Sequence, residues 1–481
     1  MFLIAIIPYK QWADYWGAFP LWQAHRAAAI AALVVLGLVL LMRWLTGSWA
    51  RSALAVSLPV IGLLAQDIDR ISLLILFGVT AIAALIDRSR RTENASLAVT
   101  IMGFVLFSGT FLQVVNLQGQ ERTVVPAGSE AISRVTLSQT PSIIHIVLDG
   151  YGSSEVLSRI YGHDTTPFFS ELERRGFSVV PDAVSPYSQT LPSIASVMSG
   201  APVDLMSGSP NPRALRQNLG YTIRNGPVPS SLEQAGYTFA WSESGYHLLD
   251  FERASRINAA PLGLTAFETR LLQFSPQLFG RLHNRMLKST LTPGSLDDLP
   301  TPFFYYQHLI APHPPFSINA DGTSRRSVSA YLADGDHFTR SDEARRQIYI
   351  EGYREKIRFV EQALLRQIDA FPAVPLIIII HGDHGPGAFL RHDDSANTCL
   401  AERLTTFAAV YTNVPGLKLD LESFAPRPLS IVNIYRLVLS RLSNTVFPPL
   451  DPVSRQLHWS DPREMTDVDY AEFDTSCGNQ Q

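Results

Sequence analysis

Apolar residues follow two different patterns along this chain, and the change falls near residue 116. From Ala24 to Met42, Ser52 to Gln66, Ile71 to Ile86 and Ser96 to Val115, apolar residues run almost without interruption between short charged clusters. A bilayer crossing takes roughly 20 such residues, so these four runs predict membrane-spanning helices, the middle two slightly short. Residues 1–23 are rich in aromatic residues and broken by Pro8 and Pro20. With Trp12, Trp16 and Trp22 they read as an interfacial segment. Beyond the spans, residues 117–140 are polar and aperiodic, which predicts a linker. Residues 141–458 then alternate short apolar runs with amphipathic stretches. The runs at Ile143–Leu148, Phe303–Leu309, Leu376–Ile380 and in TTFAAVYT have strand length; TPFFSELERRGF, Ala344 to Ala370 and PLSIVNIYRLVLSRL have helical periodicity. Such alternation predicts an α/β domain with a mostly parallel sheet covered by helices on both faces. The acidic segment 459–481 reads as a loosely held tail.

Charge fixes the orientation of the spans. Arg43 and Arg51 lie between the first and second, and Arg88, Arg90 and Arg91 between the third and fourth. The positive-inside rule puts both of these loops in the cytoplasm, so the large C-terminal domain faces outward, periplasmic or extracellular. The net charge of −4 gives no reason to expect a nucleic-acid partner. Cys399 and Cys477 are too few for a disulfide framework and lack metal-binding spacing. They could pair in an oxidising compartment or stay as two thiols.

Three separated stretches carry candidate chemistry. The first apolar strand stops at Asp149-Gly150, which places a carboxylate at the carboxyl edge of the sheet, where open α/β sheets keep their sites. Thr190 precedes Pro192 and a small-residue helix that closes at Gly200, so its hydroxyl sits at a helix N-terminus. Leu376–Ile380 delivers Asp383 and His384 into a glycine-rich turn. Asp149, Thr190, Asp383 and His384 form a set of oxygen and nitrogen donors suited to one divalent metal, Zn²⁺ or Mn²⁺ before Mg²⁺ or Ca²⁺. Such a metal would lower the pKa of the threonine hydroxyl and prepare it as a nucleophile.

These motifs, in this order, resemble the alkaline phosphatase/sulfatase superfamily, over roughly Pro141 to Leu450: a strand ending in a metal-binding Asp, the frame Thr190-Leu191-Pro192-Ser193 closing at Gly200, and a strand ending in Asp383-His384-Gly385. The resemblance implies an alkaline-phosphatase-like α/β/α sandwich behind a bundle of about four transmembrane helices. Typical sulfatases carry an oxidised Cys or Ser in a frame ending in Arg; this chain has Thr190, with Ile194 at the Arg position. The donor set is most similar to lipoteichoic acid synthases and phosphoethanolamine transferases, which usually begin it with Glu rather than Asp149. The implied activity is transfer of a phospholipid headgroup, phosphoglycerol or phosphoethanolamine, to an envelope glycan or glycolipid hydroxyl through a phospho-threonine. The implied location is the bacterial inner membrane, multi-pass. A hydrolase of the same fold and a catalytically inactive envelope-assembly protein are the alternatives. By the same resemblance, His313 in the stretch Gln307–Phe316 lies at the active-site mouth as an acid/base group. His308, Arg391 and His392 are candidates for substrate contact, and Ser188, Glu402, Arg403, Asn397 and Trp241 are weaker ones.

Overall fold

The computed structural model describes residues 8–9, 21–53, 55–56, 101, 104–105, 108–109, 129–206, 209, 211–242, 244, 246–249, 251, 255–258, 276–292, 296–325, 333–470, 473 and 477. The chain divides into two units, residues 1–120 with 263–275, and residues 121–262 with 276–481. In the first unit, α1 (Leu21–Thr46) is an unbroken helix of 26 residues. At 1.5 Å per residue it is about 39 Å long, enough to cross a bilayer with some tilt. Large apolar side chains stand exposed along it, Leu33 and Trp44 among them. One helix among the described residues is thus long and apolar enough to span. Most of the second predicted span, all of the third and most of the fourth lie outside the described residues.

The second unit is organised by an eight-stranded sheet in the order β4-β3-β5-β1-β6-β7-β2-β8. Its strands are β1 (Ser142–Leu148), β2 (Ser178–Val184), β3 (Thr238–Ser242), β4 (Ser255–Asn258), β5 (Phe303–Leu309), β6 (Leu376–Gly382), β7 (Thr405–Thr412) and β8 (Leu429–Ser430). The central strand β1 pairs in parallel with both β5 and β6. Buried on both faces, it needs the continuous apolar run that the sequence shows. Its side chains divide by parity: Ile143 and Val147 enter one core layer, and Ile144, Ile146 and Leu148 the other. The expectation of a mostly parallel sheet holds apart from β7, which runs antiparallel to both β6 and β2.

Helices cover both faces. Those that position the site are α2 (Ser154–Tyr161), α3 (Thr166–Arg174), α4 (Thr190–Val197), α5 (Pro212–Asn225), α6 (Pro227–Gln234), α7 (Pro276–Leu291), α8 (Glu343–Asp369) and α9 (Asn433–Leu442). The long helix α8 starts where Asp342 accepts a hydrogen bond from the Arg345 N–H and buries Tyr349, Tyr353, Lys356 and Ile357. The tail is held more firmly than its acidic composition suggests. β9 (Ser454–Leu457) and β10 (Met465–Val468) form an antiparallel pair, and Cys477 is joined to Cys399 by a disulfide, with Cα atoms 5.4 Å apart. Charge density alone misses such a tail, because pairing and a covalent link anchor it.

Candidate active site

Topology brings the three predicted motifs together. β5, β1 and β6 are adjacent and parallel, so their carboxyl ends emerge side by side, roughly 4.8 Å apart. Register makes this specific. Leu148 pairs with Gly382 and with Leu309, so Asp149 and Asp383 follow as neighbours and the loop after β5 lies beside Asp149. Gly150, at φ +73°, turns the chain sharply after Asp149, and its N–H donates to Asp383 Oδ1 at 3.0 Å. The helix α4 arrives after β2 at the same edge. Ser193 and Ser185 both donate to the Asp383 carbonyl oxygen at 2.6 Å, tying the Thr190 helix to the β6 turn. That role for Ser193 in the T-x-P-S frame could not be read from the sequence, since its partner lies 190 residues away.

At the centre, the polar atoms of four residues face one another. The Thr190 hydroxyl is 3.2 Å from His384 Nε2, which is 3.3 Å from Asp383 Oδ2 and 3.8 Å from Asp149 Oδ1. Nδ1 of His384 donates to the Gly385 carbonyl at 2.8 Å, leaving Nε2 as the lone-pair nitrogen turned toward the others. Asp149 Oδ1 and Asp383 Oδ2 are buried with no hydrogen-bond partner. Two such carboxylate oxygens would cost several kcal/mol if nothing joined them. Burial pushes the Asp149 carboxyl up, but His313, His308 and His384 outweigh it and hold the group well below the usual carboxylate range. Burial also lowers the pKa of His384, helped by Arg403, which favours the neutral imidazole that a metal requires. The donor chemistry therefore fits a divalent cation held by Asp149, Asp383, His384 and the Thr190 oxygen.

The other predicted residues are placed differently from one another. His308 is fully buried in β5 with Nε2 3.2 Å from Asp149 Oδ2. It supports that carboxylate, and its ring lies within reach of Asp149 and Asp383 as a further metal-type donor. His313 is tied to the centre by its N–H, which donates to the Asp149 carbonyl at 3.0 Å. Its Nδ1 donates to the Pro314 carbonyl, so Nε2 is the atom available for proton transfer; it lies 3.7 Å from Asp334 Oδ2. Arg391 reaches Ser341, and His392 bonds Asp336 and stacks on His337, so neither makes a bond to the central donors. Asn397 bonds Asp394, and Trp241 lies in a core layer.

Three supporting residues stand out. Lys356 is fully buried on α8 and donates to the carbonyls of Ile310, His313 and Pro315, fastening the His313 loop. Burial pushes its ammonium down to about 7. Glu402 accepts from the N–H groups of Ala388 and Phe389 and from Tyr161, holding the turn beyond His384, and burial raises its carboxyl to about 7. Asp334 joins Arg403 Nη1 at 2.7 Å and Tyr349 at 2.6 Å. The sequence gives no local signal for Lys356 or Asp334, which belong to no motif and reach the site only through packing.

A hydroxyl and a metal-type donor set thus meet at the carboxyl edge of a mixed α/β domain with a central sheet. The sulfatase family profile matches residues 141–405, just over half of the chain, and the chain belongs to that family. No curated protein matches it. Solved structures similar to it include the C-terminal periplasmic domain of EptC from Escherichia coli in complex with Zn, at 12% identity over 71% of this chain and 98% of that one, TM-score 0.46. The integral membrane protein lipooligosaccharide phosphoethanolamine transferase A from Neisseria meningitidis is similar at 12% identity over 84% and 78%, TM-score 0.40. The lipoteichoic acid synthase LtaP from Listeria monocytogenes is similar at 13% identity over 65% and 77%, TM-score 0.35.

Proposed function

We propose that this protein is a membrane-anchored, metal-dependent phosphotransferase that moves a phospholipid headgroup, phosphoglycerol or phosphoethanolamine, onto a glycan or glycolipid hydroxyl. The observation that carries this reading is the convergence of the Thr190 hydroxyl with two partnerless buried carboxylate oxygens and a lone-pair imidazole nitrogen. A divalent cation held by those groups would lower the pKa of the hydroxyl, so that its proton passes to solvent, and would offset negative charge on the transferred group. Thr190 Oγ1 attacks the headgroup phosphorus, the bond from phosphorus to the glycerol oxygen of diacylglycerol breaks, and His313 Nε2 supplies the proton that the departing oxygen takes up. In the second half, the acceptor hydroxyl gives its proton to His313, attacks the phospho-threonine and frees Thr190.

Two further features support the setting. The exposed apolar length of α1 suits a bilayer, where a lipid donor stays at high local concentration. The Cys399–Cys477 disulfide suits an oxidising compartment outside the cytoplasm.

The test is mass spectrometry of the detergent-purified protein after incubation with mixed bacterial phospholipids. The expected result is a headgroup-phosphate adduct on the peptide containing Thr190. Thr190→Ala should abolish the adduct and lower transfer by roughly 10³-fold or more. Full transfer by that variant would sink the proposal. Free headgroup phosphate released by the wild type without any adduct or transfer would point to the hydrolase instead.

A further inference from the structure

Arg403 is almost fully buried, yet one end of its guanidinium faces the reacting hydroxyl's own partner. It lies in the short helix Leu400–Leu404, immediately before β7. Nε donates to the Ser188 carbonyl at 2.8 Å, and Nη1 donates to Asp334 Oδ2 at 2.7 Å and to the Gly385 carbonyl at 3.2 Å. These bonds fix the plane and depth of the group. Gly385 lets the two chains approach so closely, since a Cβ there would collide with the backbone of Glu402. The remaining amino group, Nη2, has one partner among the described residues, His384 Nε2 at 3.3 Å. The Thr190 hydroxyl approaches that same nitrogen at 3.2 Å.

A structural arginine is usually consumed by its carboxylate, often through a paired fork. Here the fork is split. Asp334 takes Nη1 alone, and its other oxygen is engaged by Tyr349. Nη2 is left to the His384 Nε2 lone pair, a bond that would be lost once a cation claimed that nitrogen. Asp334 and Asp383 both act on the Arg403 charge. With a cation held by Asp149, Asp383, His384 and the Thr190 oxygen, Nη2 would face the place where an anionic group meets Thr190.

Resting on the phosphotransfer reading, we propose that Arg403 is a catalytic residue that donates from Nη2 to a non-bridging oxygen of the transferred phosphoryl group. Asp334 is its positioning residue and holds it in register with His313. The charge-assisted bond orients phosphorus toward Thr190 Oγ1 and strengthens as negative charge develops on the phosphoryl oxygens. A lysine could supply the charge from this position, but it could not keep the Ser188, Asp334 and Gly385 bonds while also reaching the anion.

The test uses the full-length protein in detergent, loaded with zinc, and inorganic phosphate as the probe, with calorimetry for affinity and elemental analysis for zinc. Arg403→Ala should bind phosphate roughly 10- to 100-fold more weakly at unchanged zinc content, and added guanidinium ion should recover part of the loss. Arg403→Lys, which keeps a cation beside Asp334, should bind with intermediate affinity and provides a second measurement if the alanine variant folds poorly. Phosphate affinity within threefold of wild type in zinc-loaded Arg403→Ala, or affinity in zinc-loaded Arg403→Lys equal to wild type, would overturn the proposal. Loss of zinc in proportion to loss of phosphate binding would also overturn it, because Arg403 would then be supporting His384. The phosphate result is independent of the lipid reaction. A protein that forms no Thr190 adduct but binds phosphate through Arg403 loses the transferase reading and keeps this site.

Discussion

Among the described residues, two groups of metal-type side chains lie in the sulfatase-family unit, and they differ in what their atoms still lack. In the first, Asp149, His308 and Asp383 lie together with His384 beside both carboxylates, and two carboxylate oxygens have no hydrogen-bond partner. In the second, Asp336, His337 and His392 are close enough to be considered for a metal, but they satisfy each other. His392 Nδ1 bonds Asp336, and the His337 ring lies parallel on His392, with centroids 3.9 Å apart and planes 13° apart. Parallel rings send their nitrogen lone pairs along parallel planes, whereas a tetrahedral ion needs them to converge. His337 is also exposed, so solvent can answer its polarity. Proximity of ligand types is therefore a weak signal. Buried carboxylate oxygens without donors that converge with an imidazole lone pair are the stronger one, because a cation offsets their desolvation cost.

The largest effect that sharpens this contrast is expected from Asp383→Asn. The amide keeps the shape but presents a donor where an acceptor is needed, so bound zinc should fall below about one-tenth per chain and transfer by roughly 10³-fold. Elemental analysis beside an activity assay would check it, and retained zinc would place the ion elsewhere. A smaller effect concerns charge buried near the first group. The Lys356 ammonium is pushed down to about 7, against its ordinary 10.5, by burial. Between those values the unfolded chain binds a proton that the folded one does not, so this group's contribution to stability is lost as pH falls through about 7 and rises toward pH 10.5. The slope is at most about 1.4 kcal/mol per pH unit. Denaturant midpoints at pH 7 and pH 9 should show this rise in the wild type and a flatter profile in Lys356→Met, which should also be less stable overall because three carbonyls lose their donor. The smallest effect is expected from His337→Ala. Zinc content should stay unchanged and activity should fall by less than about threefold, as for an exposed stacking residue; loss of one equivalent of zinc would make the rim a second metal site.

Much of this arrangement is legible in the residues themselves. Ile143–Leu148 and Leu376–Ile380 are too uniformly apolar for anything but central strands, and each ends in a carboxylate followed by chain-reversing glycine residues. Asp149, Asp383 and His384 follow from that pattern, and Thr190 from its place before Pro192. The motif suggests a substrate contact for His308, and the fold sets its ring against Asp149. Within H-x4-H, both imidazoles look equivalent, but His308 is still in β5 and packs inward, whereas His313 lies in the loop beyond the strand. Arg391 and His392 looked suitable by closeness in sequence to His384, but the turn carries them to Ser341 and Asp336. The membrane-facing pattern is equally plain over Ala24 to Met42, where α1 spans the predicted segment.

What the sequence determines by itself is what depends on neighbours along the chain: strand and helix periodicity, the residue that ends each strand, and the donor types available at those ends. The partners that make those donors a site are set only by the tertiary structure. Asp334, Lys356 and Arg403 lie far in sequence from Thr190; packing brings Arg403 to His384, Asp334 to Arg403 and Lys356 to the His313 loop. Hydrogen bonds and buried charge act over a few ångströms of space whatever the chain separation, so the sequence names Arg403 only among weaker candidates for substrate contact, and the fold alone sets its guanidinium beside His384.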